Sequence, residues 1–426
     1  MTRGVLAAAA RLPRSTTAVA VGVGVLGLAS FGYLVVAGRA LGPERFGTVA
    51  IFWVVLNTLG AGLFLPLEQH VSRELAADAD VDGRRVLRRA LGLSAAVLGL
   101  LVAVAALLRD QLADALFAGS TGLVVALVAG TAAMAASYTC RGAFAGLASW
   151  QRYGSHLAVD GVVRLGGACL LALAGSDSAL AYAAVVVVGL AVSVVVTVPG
   201  APLPPAGGSA APWGDLGRTL GWLLVASLSG LALLNAAPLG VELLAQGAGT
   251  AATVGNFVAA LTLARIPLFL FSAVQASLLP ALSRHVGAGD RQRFAAVLRS
   301  LVLGILGLGA VSGSGALAVG PEALRLIFGP AFAVDRVDVA LLALSTAGLM
   351  LVTTLGQALV ATAHYRGAAL APLVGVAVFV LAATTGDAPL ERRVSVALLL
   401  SVAVTVLALA VQVRAAGRRW AGVHDA

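Results

Sequence analysis

What most constrains this chain is a set of apolar stretches too long to belong inside a water-soluble domain. Residues 18–37, 91–108 and 394–413 each run for 18–20 residues without one charged side chain. At about 1.5 Å per residue, an α-helix of that length crosses the roughly 30 Å hydrocarbon core of a bilayer. A barrel strand would need only about 10 residues of alternating polarity, and the sequence shows no such alternation. Composition agrees: 60% of the 426 residues are hydrophobic and 11% are charged, where a soluble domain carries about 25% charge. The chain reads as a polytopic α-helical membrane protein.

Twelve spans fit the pattern, six on each side of a Pro- and Gly-rich stretch at 199–208. The first half holds 17–37, 47–67, 90–108, 120–140, 155–175 and 179–198. The second holds 219–241, 253–279, 300–320, 337–360, 367–386 and 394–413. The opening, with Arg3, Arg11 and Arg14 before an apolar run, has the layout of a signal peptide. Its apolar run is longer than the usual 7–15 residues, so we read it as an uncleaved first span. The expected organisation is an N-terminal six-helix lobe (1–198), a cytoplasmic linker (199–217) and a C-terminal six-helix lobe (218–426).

All 28 basic side chains are arginine. The absence of lysine excludes P-loop and Schiff-base chemistry, which need a lysine amine. A formal charge of +9 raises nucleic acid as a partner. The arginines, however, sit in short caps between apolar blocks, the pattern of a membrane-orientation signal. With the N-terminus inside, 19 arginines fall on inner segments and 7 on outer ones, while Arg164 and Arg265 lie within spans. That bias places both termini in the cytoplasm.

The longest polar segments, about 68–90, 199–218 and 280–299, are far shorter than the roughly 100 residues an ATPase or glycosyltransferase domain needs. The five histidines are scattered and read as interfacial, loop or tail residues. Cys140 and Cys169 form no CxxC and read as packing residues. Nothing suggests a metal, a cofactor or an enzyme active site.

The two halves resemble each other. Phe46-Gly47-Thr48-Val49 is similar to Val254-Gly255-Asn256-Phe257, at an offset of 208. Leu65-Pro66 matches Leu279-Pro280, each followed by a histidine (His70, His285) and an arginine-rich loop. Leu116-Phe117-Ala118-Gly119 is similar to Ile327-Phe328-Gly329-Pro330, and Gly142 to Arg152 aligns with Gly356 to Arg366. Four matches in order at nearly one offset imply a parallel repeat, with the halves related by a pseudo-two-fold axis along the membrane normal. Two six-helix bundles describe a transporter better than a scaffold. Substrate would bind between rocking lobes near the midplane.

The segment Gly38-Arg39-Ala40-Leu41-Gly42-Pro43-Glu44-Arg45-Phe46-Gly47 resembles the hallmark of the polysaccharide-biosynthesis (O-antigen type) flippases. These belong to the multidrug/oligosaccharidyl-lipid/polysaccharide superfamily. Arg141 to Leu147, Ala264-Arg265-Ile266-Pro267 and Leu278-Leu279-Pro280-Ala281-Leu282-Ser283 resemble further family segments. The resemblance implies a twelve-helix, two-lobe fold and a polyprenyl-pyrophosphate-linked oligosaccharide as substrate. Partners would be the bilayer, the lipid-linked glycan, and glycosyltransferases or a polymerase of the same pathway. A multidrug exporter of the superfamily and a non-transporting component of a glycan assembly complex are the alternatives.

Two arginines stand out as substrate-binding candidates. Arg164 lies about 14 Å into span five and Arg265 about 18 Å into span eight, close to the midplane. An arginine there is costly and usually faces a cavity. Its forked donors fit phosphate oxygens. The rival reading for both is a buried structural ion pair. Asp160, at i−4 from Arg164, either neutralises it or serves as an ion-coupling switch. Arg39 falls at the outer rim, as a substrate contact or an ordinary interfacial residue. Gly42-Pro43-Glu44 reads as an outer turn, and Pro66, Pro238, Pro267, Pro280 and Pro372 as kinks.

Overall fold

The computed structural model describes residues 14–77, 82–202, 204–207, 213–245, 250–362 and 364–424. Arg3, Arg11 and linker positions 203 and 208–212 lie outside the described residues. Among those described, the chain is helical with no strand. The helices are α1 (Arg14–Ala77), α2 (Gly83–Leu107), α3 (Arg109–Leu116), α4 (Thr121–Gly146), α5 (Trp150–Leu173), α6 (Ala179–Thr197), α7 (Trp213–Leu244), α8 (Thr250–Ala264), α9 (Ile266–Gly287), α10 (Arg291–Phe328), α11 (Arg336–Ala361), α12 (Tyr365–Thr384) and α13 (Leu390–His424).

Helix α1 has 64 residues, about 96 Å of helix and three times what a bilayer needs. It contains two spans. The break is one residue, Gly42, at φ 68° and ψ 173°, a conformation only glycine adopts without strain. The expected turn is there, but residues on both sides stay helical, so the connection is far shorter than the spacing of the spans suggested. Close approaches in the first unit show that the two arms run antiparallel. Gly154 and Gly161 of α5 meet Ala18 and Leu26, so the first arm parallels α5. Gly60, Gly142 and Gly146 bring Met134, Glu68 and Ser72 into register, so the second arm parallels α4. Helices α4 and α5 are themselves antiparallel, since Ser137 bonds His156 and Arg141 bonds Tyr153. The glycine contacts are close because a Cβ at Gly142 would lie 2.9 Å from the Glu68 carbonyl oxygen. Small residues at i and i+4 let membrane helices touch backbone to backbone.

The span expected at 253–279 is not continuous. Arg265, at φ −86° and ψ −1°, separates α8 from α9, with Pro267 in the first turn of α9. Counting α1 as two spans and α8–α9 as one, the described helices supply the twelve spans of the sequence reading.

The chain divides into two compact units, Met1–Val36 with Leu59–Leu220, and Ala37–Thr58 with Gly221–Ala426. In the first, α5 and α6 pack antiparallel, and the buried Tyr33 donates to the Tyr182 carbonyl at 2.9 Å. In the second, α10 and α11 are antiparallel, with Gly309, Gly313 and Gly320 against Ala347, Leu344 and Val339.

Residues 37–58 join the second unit through the hallmark segment. Gly38 leaves room for Phe328, where a Cβ would come within 2.7 Å. Phe46 packs on Phe328 and Phe332 at centroid distances of 5.8 and 5.9 Å. The repeated glycines meet reciprocally: Gly47 lies on Ala251 and Gly255 lies on Pro43.

The repeat recurs in local detail. Asp82 and Asp290 both cap their helices, accepting from the backbone N–H of Arg85 and Arg293 at 3.0 and 2.9 Å. Phe117 and Phe328 are both buried, each followed by a residue with positive φ, Ala118 and Gly329.

Part of the linker is anchored. Arg152 donates to the carbonyls of Thr197, Pro199 and Gly200 at 2.8, 3.0 and 2.6 Å, and the Arg84 N–H bonds the Pro205 carbonyl at 3.2 Å.

Candidate functional site

The most informative site lies in the second unit, where the helix break at Arg265 meets the proline-containing α7. Proline lacks an N–H, so Pro238 leaves the carbonyl of Leu234, four residues earlier, without its helical partner. The Arg265 guanidinium donates to that freed carbonyl through Nη2. Its Nη1 reaches Asn235 Oδ1 at 3.4 Å. Asn235 in turn donates to Thr58 Oγ1 at 2.8 Å, and Thr58 donates to the Val54 carbonyl at 2.7 Å. Arg265 Nε is buried and makes no hydrogen bond. The result is a relay of neutral acceptors around a full positive charge. Among the described residues no carboxylate lies within ion-pairing distance of Arg265. The amide relay was not apparent from sequence because Thr58, Asn235 and Arg265 are 177 and 30 residues apart.

Arg164 has a different environment. In the first unit, its Nη2 lies 2.7 and 2.8 Å from the two carboxylate oxygens of Asp160, and Nη1 lies 3.2 Å from Ser30 Oγ. Both charged residues are buried. Gly189 of α6 makes the space, since a Cβ there would lie 2.9 Å from the Asp160 carboxylate. The i, i+4 spacing expected this pairing, and the structure adds the enclosure.

Arg39 is exposed. Its Nε donates to the Ile327 carbonyl at 2.7 Å and its Nη2 to the Leu326 carbonyl. These are orphan carbonyls at the C-terminus of α10, where a cation also complements the helix dipole. Arg39 and Arg265 lie in the same unit, on separate sets of partners.

Two polar clusters in the first unit escaped the sequence reading. Arg141, counted there as an inner-segment arginine, is inside α4. Its Nη2 sits 3.0 Å from Glu68 and 3.1 Å from Tyr153 Oη, with the guanidinium over the Tyr138 ring at 4.5 Å. Tyr153 also donates to Glu68 at 2.8 Å. His156, read as interfacial, is 1% exposed, held by Ser137 at 2.7 Å, Thr197 at 2.8 Å and Ser193 at 3.2 Å. A buried imidazole needs partners for both nitrogens. The Ser and Thr on neighbouring helices supply them, so hydropathy misled there. In the second unit Arg392 bridges Asp338 and Asp335 at 2.5 and 2.6 Å. Both cysteines are free, and among the described residues no cluster of His, Cys, Asp or Glu has the layout of a metal site.

No family model matches the chain. It is similar to two uncharacterized proteins of Mycobacterium tuberculosis (strain ATCC 25618 / H37Rv). The similarity to Rv1510 is 29% identity over 395 residues, covering 90% of this chain and 87% of that protein. For Rv3630 it is 27% over 365 residues, covering 83% and 81%. Among solved structures it is similar to a multidrug resistance MATE family transporter of the MOP superfamily in an inward-facing conformation, with TM-score 0.69 and 12% identity over 92% of this chain and 96% of that one. A Vibrio cholerae MATE transporter gives TM-score 0.63 and 17% identity over 95% and 99%. At these identities the likeness is one of fold. The chain is a multi-pass membrane protein with the twelve-helix, two-lobe fold of the MATE transporters.

Proposed function

We propose that this protein is a transporter that moves a polyprenyl-pyrophosphate-linked oligosaccharide across the plasma membrane by alternating access. Arg265 is the observation that carries the proposal. Guanidinium stays charged in any protein environment, and here its described partners, the Leu234 carbonyl and the Asn235 amide, are neutral. A charge placed within a span and left uncompensated is paid for by function. A pyrophosphate would accept from the guanidinium by charge-assisted bonds stronger than those it now makes. The MATE fold supports the transporter part of the reading. The hallmark segment 38–47 supports the lipid-linked glycan part. Arg164 and Arg39 enter as secondary contacts that must first exchange their present partners. Both termini face the cytoplasm, and glycan-assembling enzymes of the same pathway supply the substrate.

The second reading, a multidrug exporter, has the description of the similar solved structures behind it. A cationic drug calls for an unpaired acid. The buried carboxylates Glu68, Asp160 and Asp338 each already hold an arginine, whereas Glu242 of α7, half-buried within a span, has no ion pair among the described residues and is where such a drug would be held.

The test is flipping of a fluorescent lipid-linked oligosaccharide in proteoliposomes, alongside uptake of a cationic dye. Arg265→Ala should fold normally and lose flipping by about 10- to 100-fold, the worth of a charge-assisted bond. Arg265→Lys should keep part of the rate, having charge without the fork. Normal flipping by Arg265→Ala, or its unfolding, rejects the proposal. Dye uptake without lipid flipping selects the exporter.

A further inference from the structure

The second unit holds a cavity of about 620 Å³ among α10, α11 and α13, apart from the Arg265 site. Its floor is Leu351, Leu355 and Ala358 of α11, and its walls are Leu298 and Val302 of α10 with Val406 and Ala410 of α13. One end is polar. There Arg291 and Arg299 from the first turns of α10 and Arg414 from the C-terminal half of α13 line the rim, with Thr362 at the end of α11. The helix directions bring these residues together, because α10 runs antiparallel to α11 and its first turns lie beside the last turns of α11. From Leu351 to Thr362 the groove extends about 16 Å along α11. That is close to the roughly 15 Å depth of one leaflet's hydrocarbon, half of the 30 Å core.

We propose that this groove binds an anionic phospholipid from the leaflet that meets the arginine-rich loops, with an acyl chain along α11 and the phosphate between Arg299 and Arg414. Two features argue for that occupant over a protein helix. The rim carries three exposed guanidinium groups, Arg291, Arg299 and Arg414, and no acidic side chain. The body is uninterrupted aliphatic surface, which suits an acyl chain and offers no partner for a polar backbone. Basic pockets between membrane helices select anionic headgroups at about one order of affinity or less per arginine. The lipid would fill the space on α11 beside the core cluster of Phe271, Ile305 and Met350 and so brace the second unit.

The experiment is native mass spectrometry, with thermal unfolding, of the full chain in detergent titrated with phosphatidylglycerol or phosphatidylcholine. Phosphatidylglycerol should bind at least about 10-fold more tightly and raise the unfolding temperature. The exposed pair Arg299→Gln with Arg414→Gln should fold normally and abolish that preference. Ala410→Phe should fill the groove and weaken both lipids. The proposal is overturned if both lipids bind alike, or if the glutamine pair keeps the preference. It is also overturned if glycerophosphate alone competes as well as the phospholipid. Displacement of phosphatidylglycerol by polyprenyl phosphate would make the groove part of the transport route and equally reject it. Neither outcome bears on Arg265, so the two proposals stand or fall separately.

Discussion

At the scale of single residues, the two intramembrane arginines differ in what surrounds their charge. Arg164 is enclosed with Asp160 in a two-pronged ion pair, and removing one member of a buried pair leaves the other charge stranded. Asp160→Asn should therefore destabilise the protein by about 3–5 kcal/mol, seen as a lower unfolding temperature in detergent. Adding Arg164→Gln should recover much of the loss, because the stranded charge is gone. If the pair is structural, the pH dependence of transport stays as in the wild type. A folded Asp160→Asn protein that loses pH dependence would instead make Asp160 the coupling switch. The Glu68–Arg141–Tyr153 cluster joins residues 85 and 12 positions apart. In sequence Arg141 looks like one more arginine at the end of a span.

At the scale of helices, close packing rests on glycine, and proline releases backbone carbonyls to other partners. A Cβ at Gly255 would overlap the Pro43 carbonyl, whereas one at Gly24 would meet nothing within 4 Å. Gly255→Ala should therefore unfold at a lower temperature. Gly24→Ala should be neutral or more stable, by up to about 1 kcal/mol of helix propensity. Equal effects would contradict the packing described. Pro238→Ala makes a subtler case. It restores an N–H for the Leu234 carbonyl, strengthening α7 while competing with Arg265 for that acceptor. The variant should be at least as stable as the parent and transport differently. Unchanged transport would show that the freed carbonyl has no part in positioning Arg265.

At the scale of the whole molecule, the arginine bias, 18 inner to 7 outer once Arg141 is set inside α4, predicts one orientation for all twelve spans. Reporter fusions after Ala206 and at the C-terminus should both report cytoplasm. A periplasmic or extracellular signal at either point would break the six-plus-six arrangement.

The number of spans, the helical class and the internal repeat were legible in the sequence. Each depends on hydropathy over a 20-residue window or on short motifs repeated at one offset, properties that survive without tertiary contacts. The pairing of Asp160 with Arg164 was also legible, since one helical turn brings i and i+4 together. What only the tertiary structure decided are arrangements made by residues far apart in the chain. Hydropathy placed His156 at an interface, but Ser137, Ser193 and Thr197 from neighbouring helices bury it with both nitrogens satisfied. It drew 253–279 as one span, but the helix breaks at Arg265. A lone arginine in an apolar run says only that something must compensate its charge. That the something is a carbonyl released by a proline 27 residues earlier depends on how α7 and the α8–α9 break pack, and no local window of sequence contains that information.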